Sequence, residues 1–596
     1  MRPATRLCDS SAVATDETLD RVDATFERFV AENGAPGIAY GLIEGGDLVR
    51  ARGYGVARLG DSAPPDADTM FRIASMTKSF TASMVLLLRD EGRLRLDDDV
   101  VAYVPEVAGI PRWSADAPPL SIRQLLTMTA GFPSDDPWGD RQQDLDPDDF
   151  AALLAGGISL AWPSGSRFEY SNLAYAILGR VIAQVTGGPY DEAVRSRLLE
   201  PLGIKAVFDD VLLAKERRAS GYVRRSDGWL EETIHGHGAF APMGGLWASV
   251  RDVGRWVAGF TDAFPARDDA EGGHPLRRST RREMQQVQTP LPPEVSWTSA
   301  DSAPTVLSAG YGMGLFIRDD LSHGRTVGHG GGYPGFGSNM RWHPASGIGV
   351  VVLANSRYAP AFGLATEALR LLLADPGTHI RRHEPWPETT AARATVERLL
   401  DEWDDDVASE LFAMNVDLDE PLADRRAAME RLQAIHGALT AEETPSRSYS
   451  PAQLEWWMKG QRGRVRMEIL LDPERPPRVQ GLTFTSVPEP PERLTAFATQ
   501  LAGLLATPAP AWPEEIPLAA SVDRATIERG LRAAEALFGP VEIGPVVAGD
   551  GERTATWRVS GERGHLTLEL AVEAADGPLT KVALVPEALE PPVYAD

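Results

Sequence analysis

Two hairpin-like segments lie far apart in the sequence, and they limit the possible folds more than any other feature. The first, residues 37–57, has two apolar runs divided by Gly45 and Gly46, and the second joins residues 339–343 to 349–355 through a short turn. Apolar residues at helical spacing predict helices over residues 17–33, 75–92, 121–129, 172–186, 249–261 and 361–374. Strands near both ends of this region with helices between them predict an antiparallel sheet covered by helices, an α/β (α+β) fold.

The sequence changes character near residue 376, where a stretch rich in proline and charge begins. Beyond it lies an internal repeat, in which the segment from Gly460 matches the segment from Gly561, about 100 residues later. Each copy places helices before strands, an order that resembles the NTF2-like fold. The predicted domains are residues 1–376, a linker of 377–387, and two small α+β modules of 388–490 and 491–596.

The charge of the chain argues against several classes of partner. The formal net charge is −26 at pH 7, and the longest arginine runs are pairs, so nucleic acid and anionic lipid should be repelled. No window holds 18 consecutive apolar residues, so no membrane span is expected. The N-terminal residues lack the apolar run of a secretory signal, which predicts a cytoplasmic location. The single cysteine, Cys8, leaves no internal disulfide.

The strongest local signal is Ser75-Met76-Thr77-Lys78, at the start of a predicted apolar helix. Positions i and i+3 of a helix share a face, so the hydroxyl and the amine can meet. The first turn of a helix favours a developing oxyanion, and a buried amine can accept the serine proton. With five lysines in the chain, about 0.25 such matches are expected by chance. The alternative is an N-cap serine followed by a solvated lysine.

Two further motifs could complete a site with this one. In Tyr170-Ser171-Asn172, a phenol beside an ammonium would ionise more easily and shuttle protons, and the amide can donate to a substrate carbonyl. In the glycine-rich run after His329, a backbone N–H could complete an oxyanion hole with that of Ser75. Taken alone, each motif also fits a structural role, as a residue pair before a helix or as a turn with a surface histidine.

The order and spacing of the three motifs resemble the serine β-lactamase and penicillin-binding protein superfamily, whose signatures are Ser-x-x-Lys, Ser/Tyr-x-Asn and Lys/His-x-Gly. The tyrosine and histidine versions resemble the class C branch, which includes class C β-lactamases, D-alanyl-D-alanine carboxypeptidases, D-aminopeptidases and family VIII-type esterases. Residues 120–133 and 242–260 are similar to that branch as well, and the resemblance covers about residues 17–374. It implies a β-lactamase-like antiparallel sheet flanked by helices, with an all-helical subdomain.

The resemblance also implies a role for each motif residue. The implied catalytic residues are the nucleophile Ser75, its activating partner Lys78 and the general base and proton shuttle Tyr170. The implied substrate-binding residues are Asn172, His329 and Gly330. The backbone N–H groups of the implied oxyanion hole belong to Ser75 and Gly332. No cofactor or metal is implied, and a homo-oligomer is possible.

One departure from the class C pattern narrows the expected function. Histidine at position 329 replaces the usual lysine and removes a fixed positive charge for a substrate carboxylate, so β-lactam hydrolysis is not expected as the main role. We expect a serine hydrolase acting through an acyl-enzyme on a small ester, amide or short peptide, as an esterase or D-amino-acid-type peptidase. An acyltransferase using the same site and a non-catalytic scaffold with tandem binding modules are the alternatives. His235 and His237 lack the partners of a known metal motif, and we interpret them as part of a glycine-rich loop.

Overall fold

The computed structural model describes residues 14–296, 305–320, 323–443, 446–505, 512–513, 516–561, 564–574 and 576–587. The chain divides into two compact units, one of Met1–Glu294 and Leu307–Arg381 and one of Val295–Val306 and Arg382–Ala595. Within the described residues, no helix combines the length and the apolar character needed to cross a membrane. The expectations for Cys8 and for the N-terminal signal fall on residues outside this description, and the domain boundaries stay predictions.

An antiparallel sheet organises the first unit. Eight of its nine strands are β1 (Gly37–Glu44), β2 (Asp47–Gly55), β3 (Thr289–Pro290), β4 (Thr305–Tyr311), β5 (Phe316–Asp320), β6 (Gly324–Tyr333), β7 (Phe336–His343) and β8 (Ile348–Ala354). They lie side by side in the order β2-β1-β8-β7-β6-β5-β4-β3. The two hairpins seen in the sequence meet where Ile38 pairs with Ala354. The predicted sheet is therefore confirmed.

Helices cover both faces of this sheet. Asp16–Ala31 and Ala361–Leu373 pack on one face, and Val250–Thr261 packs on the other. The remaining helices of this unit are Thr77–Asp90, Ile122–Leu126, Asp136–Gly139, Pro147–Ala155, Asn172–Thr186, Tyr190–Val194, Ala241–Gly244 and Arg278–Met284. Because side chains alternate along a strand, Val350 and Val352 of β8 pack in the core that contains Phe26, whereas Val351 and Leu353 pack in the larger core on the other face. Between residues 73 and 221, all of which are described, the chain forms helices and no strand, as expected for an all-helical subdomain.

The helix Thr77–Asp90 is buried on every side, as its apolar sequence predicts. Phe80 stacks on Trp256 with 3.9 Å between ring centroids, and Trp256 Nε1 donates to Ser79 Oγ at 2.9 Å. A short 3₁₀ turn, Ala74–Met76, precedes this helix and carries Ser75. The helix therefore begins two residues later than predicted, and Ser75 lies just outside its first turn.

The second unit contains two helix-then-sheet modules. The first has helices Pro387–Asp401, Asp405–Leu411, Met414–Asp419 and Leu422–His436 before strands Thr440–Ala441, Arg447–Ser450, Gln453–Gly460, Gly463–Leu471 and Val479–Pro488. The second has helices Glu492–Leu505 and Arg524–Phe538 before strands Val541–Gly549, Thr554–Gly561, Gly564–Val572 and Leu579–Pro586. In each module the last three strands pair antiparallel in chain order.

The glycines shared by the two repeats have a common packing role. A Cβ at Gly460 would lie 2.6 Å from the carbonyl oxygen of His436, and one at Gly561 would lie 2.6 Å from that of Phe538. His436 and Phe538 are the last residues of the equivalent helices. The missing side chain thus lets a strand end approach the end of a helix in both modules, which supports a duplication. The NTF2-like assignment stays a prediction.

Strand β6 lies directly against the turn that carries Ser75. A Cβ at Gly331 would come within 2.3 Å of both the carbonyl oxygen of Ile73 and the hydroxyl of Ser338. That hydroxyl donates to the Ile73 carbonyl at 2.7 Å, so β7 holds the same turn from the next strand. The glycine-rich run is needed here for close approach between a strand and the turn that carries Ser75.

This packing predicts different outcomes at two adjacent glycines. We expect Gly331→Ala to lower the melting temperature, by the equivalent of about 1–3 kcal/mol for an overpacked site, and to slow covalent labelling of Ser75. Gly330→Ala is the matched control, because a Cβ there meets only Asn339 Nδ2 at 3.3 Å and Ser338 O at 3.8 Å. Thermal unfolding would check both; equal melting temperatures for the two variants would contradict the packing argument.

Candidate active site

The Ser75 hydroxyl and the Lys78 amine lie 3.0 Å apart, as the Ser-x-x-Lys spacing predicts. Lys78 is fully buried, and Ser75 keeps 9% of its surface exposed. Ala74, the residue before the serine, has φ of +48°, a left-handed conformation that is strained for a residue with a side chain. The turn is therefore held in a costly conformation at the position where it presents the serine.

Two more acceptors surround the Lys78 amine. Its Nζ donates to Asn172 Oδ1 at 2.6 Å and to the Met243 carbonyl at 2.8 Å. Burial lowers the pKa of Lys78 to about 8, although nearby carboxylates favour the charged form. A neutral amine has two hydrogens and one lone pair. It can donate to Asn172 and Met243 and accept the proton of Ser75, which is the geometry of a base beside a nucleophile.

The Tyr170 phenol lies beside this pair. Its ring centroid is 4.9 Å from Lys78 Nζ, and the Ser75 side chain is close enough to influence the pKa of the phenol. Burial, and then the charge of Asp136, raise the pKa of Tyr170 well above its usual range. The expectation that the neighbouring ammonium makes this phenol ionise easily is therefore wrong. The hydroxyl is protonated at neutral pH and can relay a proton but does not provide a standing phenolate.

Asn172 is fully buried, and its amide bonds within the protein. In addition to accepting from Lys78, it donates from Nδ2 to Asp136 Oδ1 at 2.8 Å. The neighbouring Asp135 accepts from the backbone N–H groups of Asn172 and Leu173, at 2.7 and 2.8 Å, and so caps the helix Asn172–Thr186. These contacts hold the asparagine rigidly beside the lysine. Its predicted role in binding a substrate carbonyl stays a prediction.

Three acidic residues near Lys78, namely Asp135, Asp136 and Asp140, were not predicted from the sequence. All three carboxylates act electrostatically on Lys78. Asp140 is buried, accepts from the Tyr358 hydroxyl at 2.6 Å, and has a pKa raised by burial to about 6. The available signal in the sequence was the pair Asp135-Asp136, one residue after the end of the segment 120–133. A pair of aspartates in a loop is too common to suggest a site without the fold.

His329 is a buried residue, which excludes the surface histidine of the alternative interpretation. It is 3% exposed, and its Nδ1 lies 2.6 Å from the carbonyl oxygen of Gly330, which can only accept a hydrogen bond. The ring lies 6.3 Å from that of Tyr170 and packs against Phe316. Burial, with the Lys78 charge as a lesser cause, lowers the pKa of His329 to about 3, so the side chain is neutral at physiological pH.

The wall beyond His329 consists of glycine backbone and one strained aromatic residue. A Cβ at Gly332 would lie 2.6 Å from the ring of Tyr358, whose own φ is +48°. The ring of Tyr358 is half-exposed and is anchored through its hydroxyl to Asp140. The predicted oxyanion hole, from the N–H groups of Ser75 and Gly332, stays a prediction.

The histidines at 235 and 237 each lie close to a carboxylate. His235 Nδ1 lies 3.5 Å from Asp144, and His237 Nε2 lies 3.6 Å from Asp191. Among the residues that the structure describes, no group of three or more potential metal ligands comes together.

Comparisons with known proteins identify what the first unit resembles. The family model described as Beta-lactamase matches residues 22–375. Protein flp of Staphylococcus aureus (strain MW2) is 26% identical over 353 residues, which cover 58% of this chain and 65% of flp. The D-alanyl-D-alanine-carboxypeptidase/endopeptidase AmpH of Escherichia coli (strain K12) is 32% identical over 196 residues, which cover 31% of this chain and 48% of AmpH. The chain thus spans less than two thirds of either relative.

A solved structure extends the similarity of fold beyond the first unit. The octameric penicillin-binding protein homologue from Pyrococcus abyssi aligns over 96% of this chain and 99% of its own length, with a TM-score of 0.53 and 20% identity. At this identity the match concerns the fold alone, and it includes the C-terminal modules.

The lowered pKa of Lys78 predicts how reactivity depends on pH. The neutral fraction of its amine grows as pH rises through about 8, so covalent labelling of Ser75 by a fluorophosphonate should accelerate up to that pH and then level off. His329 is neutral above about pH 3 and adds no step in this range. Lys78→Arg keeps the charge but cannot lose its proton, and we expect a loss of about 10²–10⁴.

The exposed Lys205→Arg is the matched control and should keep the wild-type profile. Labelling rates measured from pH 6 to 9 would check this. A labelling rate that does not depend on pH in the wild type would contradict the assignment of Lys78 as the base beside Ser75. The same inflection in the pH profile of Lys78→Arg as in that of the wild type would also contradict it.

Proposed function

Because this chain belongs to the beta-lactamase family, we propose that it is a serine hydrolase that forms an acyl-enzyme on Ser75. The observation that carries the proposal is the contact of 3.0 Å between the Ser75 hydroxyl and a buried lysine amine whose pKa is lowered to about 8. Burying an amine is costly, and an ordinary structural lysine would reach solvent. The burial is useful if the amine must lose its proton.

The contacts support the following acylation step. Neutral Lys78 takes the proton of the Ser75 hydroxyl while Oγ attacks the carbonyl carbon of an ester or amide. The N–H groups of Ser75 and Gly332 would stabilise the resulting oxyanion. The ammonium then returns a proton to the leaving group through the Tyr170 hydroxyl, and the carbon–leaving-group bond breaks.

Deacylation repeats these steps with water in place of the serine. The water loses a proton towards Tyr170 and Lys78, its oxygen attacks the acyl carbon, and Ser75 recovers its proton as the acid departs. An acyltransferase would use the same residues with an alcohol or amine as the acceptor in place of water.

The charges at the site favour some substrates over others. His329 is neutral, so β6 offers no histidine charge to pair with a substrate carboxylate, and Asp136 adds an exposed negative charge near Lys78. These features favour neutral esters and substrates with a free amine, which fits an esterase or D-amino-acid-type peptidase better than a β-lactamase. A non-catalytic scaffold would not need a buried lysine bonded to a serine. A homo-oligomer and a cytoplasmic location stay proposals.

The nucleophile can be tested on the full chain. We expect Ser75→Ala to abolish turnover of p-nitrophenyl esters and labelling by a fluorophosphonate, with the melting temperature within a few degrees of wild type. Ser79→Ala is the matched control, since this hydroxyl in the helix Thr77–Asp90 donates to the Met76 carbonyl, accepts from Trp256 Nε1 and should not react. Intact-mass detection of an adduct on any other residue would contradict the proposal.

The proton relay can be tested by removing one hydroxyl. Tyr170→Phe keeps the ring over Lys78 but removes the hydroxyl that would relay the proton. We expect kcat to fall by about 10²–10⁴, the range for a positioned acid–base group. Steady-state ester hydrolysis would measure it, and a loss of less than about threefold would mean that Lys78 and water do this work without the phenol.

A further inference from the structure

A carboxylate outside the three motifs is joined to the nucleophile by continuous hydrogen bonds. Lys78 Nζ contacts Ser75 Oγ at 3.0 Å and donates to Asn172 Oδ1 at 2.6 Å. The other end of the same amide, Nδ2, donates to Asp136 Oδ1 at 2.8 Å. The series begins at the partly exposed serine and ends at Asp136, which is solvent-exposed at the start of the short helix Asp136–Gly139.

We propose that Asp136 is a positioning residue for the Ser75–Lys78 pair: it sets the orientation of the Asn172 amide and supplies negative charge that retains the proton on Lys78. The inference rests on the proposed function, because it assumes that Lys78 activates Ser75. Asp136 acts through Asn172 and Lys78, and the proposal gives it no contact with substrate.

The two ends of the Asn172 amide differ, because its oxygen accepts hydrogen bonds and its nitrogen donates them. A carboxylate can only accept hydrogen bonds, so it selects the rotamer in which Nδ2 points towards Asp136 and Oδ1 points towards Lys78. The reversed amide would place its NH₂ group against the lysine amine and its oxygen against the carboxylate. Both contacts would be repulsive, and Lys78 would lose its shortest hydrogen bond, the one of 2.6 Å.

Whether Asp136 supplies this charge depends on the other groups that face Lys78. From the helix Asn172–Thr186 and the residues before it come the uncharged rings of Tyr170 and Tyr175, at 4.9 and 5.7 Å from Nζ, and β6 contributes neutral His329. The helix Ala241–Gly244 contributes the Met243 carbonyl. The remaining charges are the three carboxylates of the 135–140 segment.

Among these three carboxylates, Asp136 has the largest effect on Lys78. It is also the charge that contributes most to the raised pKa of Tyr170. Asp135 is engaged by the backbone at the end of a helix, and Asp140 by the Tyr358 hydroxyl. Only Asp136, within this group of three, bonds to the Asn172 side chain.

Two substitutions separate orientation from charge. Asp136→Asn removes the charge but keeps an oxygen that can accept from Asn172 Nδ2. Lys78 should then lose its proton at lower pH, so the rising, low-pH part of the rate profile (its acid limb) moves to lower pH. A shift of half a pH unit makes labelling at pH 6.5 about threefold faster. Asp136→Ala removes charge and acceptor together. Its acid limb should move similarly, and its plateau rate should fall about tenfold or more because Asn172 is free to turn.

The measurement is the rate at which a fluorophosphonate labels Ser75 in the full chain, from pH 5.5 to 9.5, followed by intact mass. In this step the Oγ–P bond forms, fluoride leaves with the P–F electron pair, and Lys78 takes the hydroxyl proton, so no other reactant is needed. Asp149→Asn is the matched control, an exposed carboxylate on the nearby helix Pro147–Ala155. It changes net charge equally and should keep the wild-type profile.

The expected result is an acid limb moved to lower pH in both Asp136 variants, with a plateau that Asn restores and Ala does not. A limb in Asp136→Asn that coincides with wild type and Asp149→Asn would overturn the charge role. A wild-type plateau in Asp136→Ala would overturn the orientation role. Near-UV circular dichroism checks folding, and if the Ala variant is unfolded the Asn variant alone decides. Absence of labelling in the wild type would instead refute the proposed function.

Discussion

The buried amine of Lys78 is the interaction on which the rest of the site depends. Removing an ammonium from water is expensive unless polar groups replace the solvent. Here three separate parts of the chain provide them: the turn with Ser75, the helix start with Asn172, and the carbonyl of Met243. Each of these three groups must be held beside the amine, so the elements that carry them must be held in place as well.

That requirement explains the packing around the turn that carries Ser75. The turn is strained at Ala74, and it is held by the Ser338 hydroxyl on β7 and by the close approach of Gly331 on β6. On the other side, Asp135 caps the helix that begins at Asn172. The sheet thus holds the turn that carries the serine, and Asp135 holds the start of the helix that carries the asparagine.

Burial and the nearby carboxylates have opposite effects on the charge of Lys78. Burial favours the neutral lysine and the neutral histidine, while the carboxylates of the 135–140 segment favour the charged lysine and disfavour a phenolate at Tyr170. The outcome is a lysine that titrates near physiological pH beside a tyrosine and a histidine that are both neutral there. Among these three groups, Lys78 is therefore the one whose protonation changes near physiological pH.

The sequence by itself determined the secondary-structure elements and the contacts between residues that are close together in the chain. The hairpins, the buried helix, the Ser75–Lys78 contact and the repeat of two modules all follow from periodicity, i to i+3 spacing and self-similarity, which act over short distances or identical segments. Only the tertiary structure decided the contacts between distant segments, such as Asp136 with Asn172, Gly331 with Ile73 and Met243 with Lys78. It also decided the protonation of Tyr170 and His329, because a pKa depends on burial and on charges from other elements, and no local pattern records either.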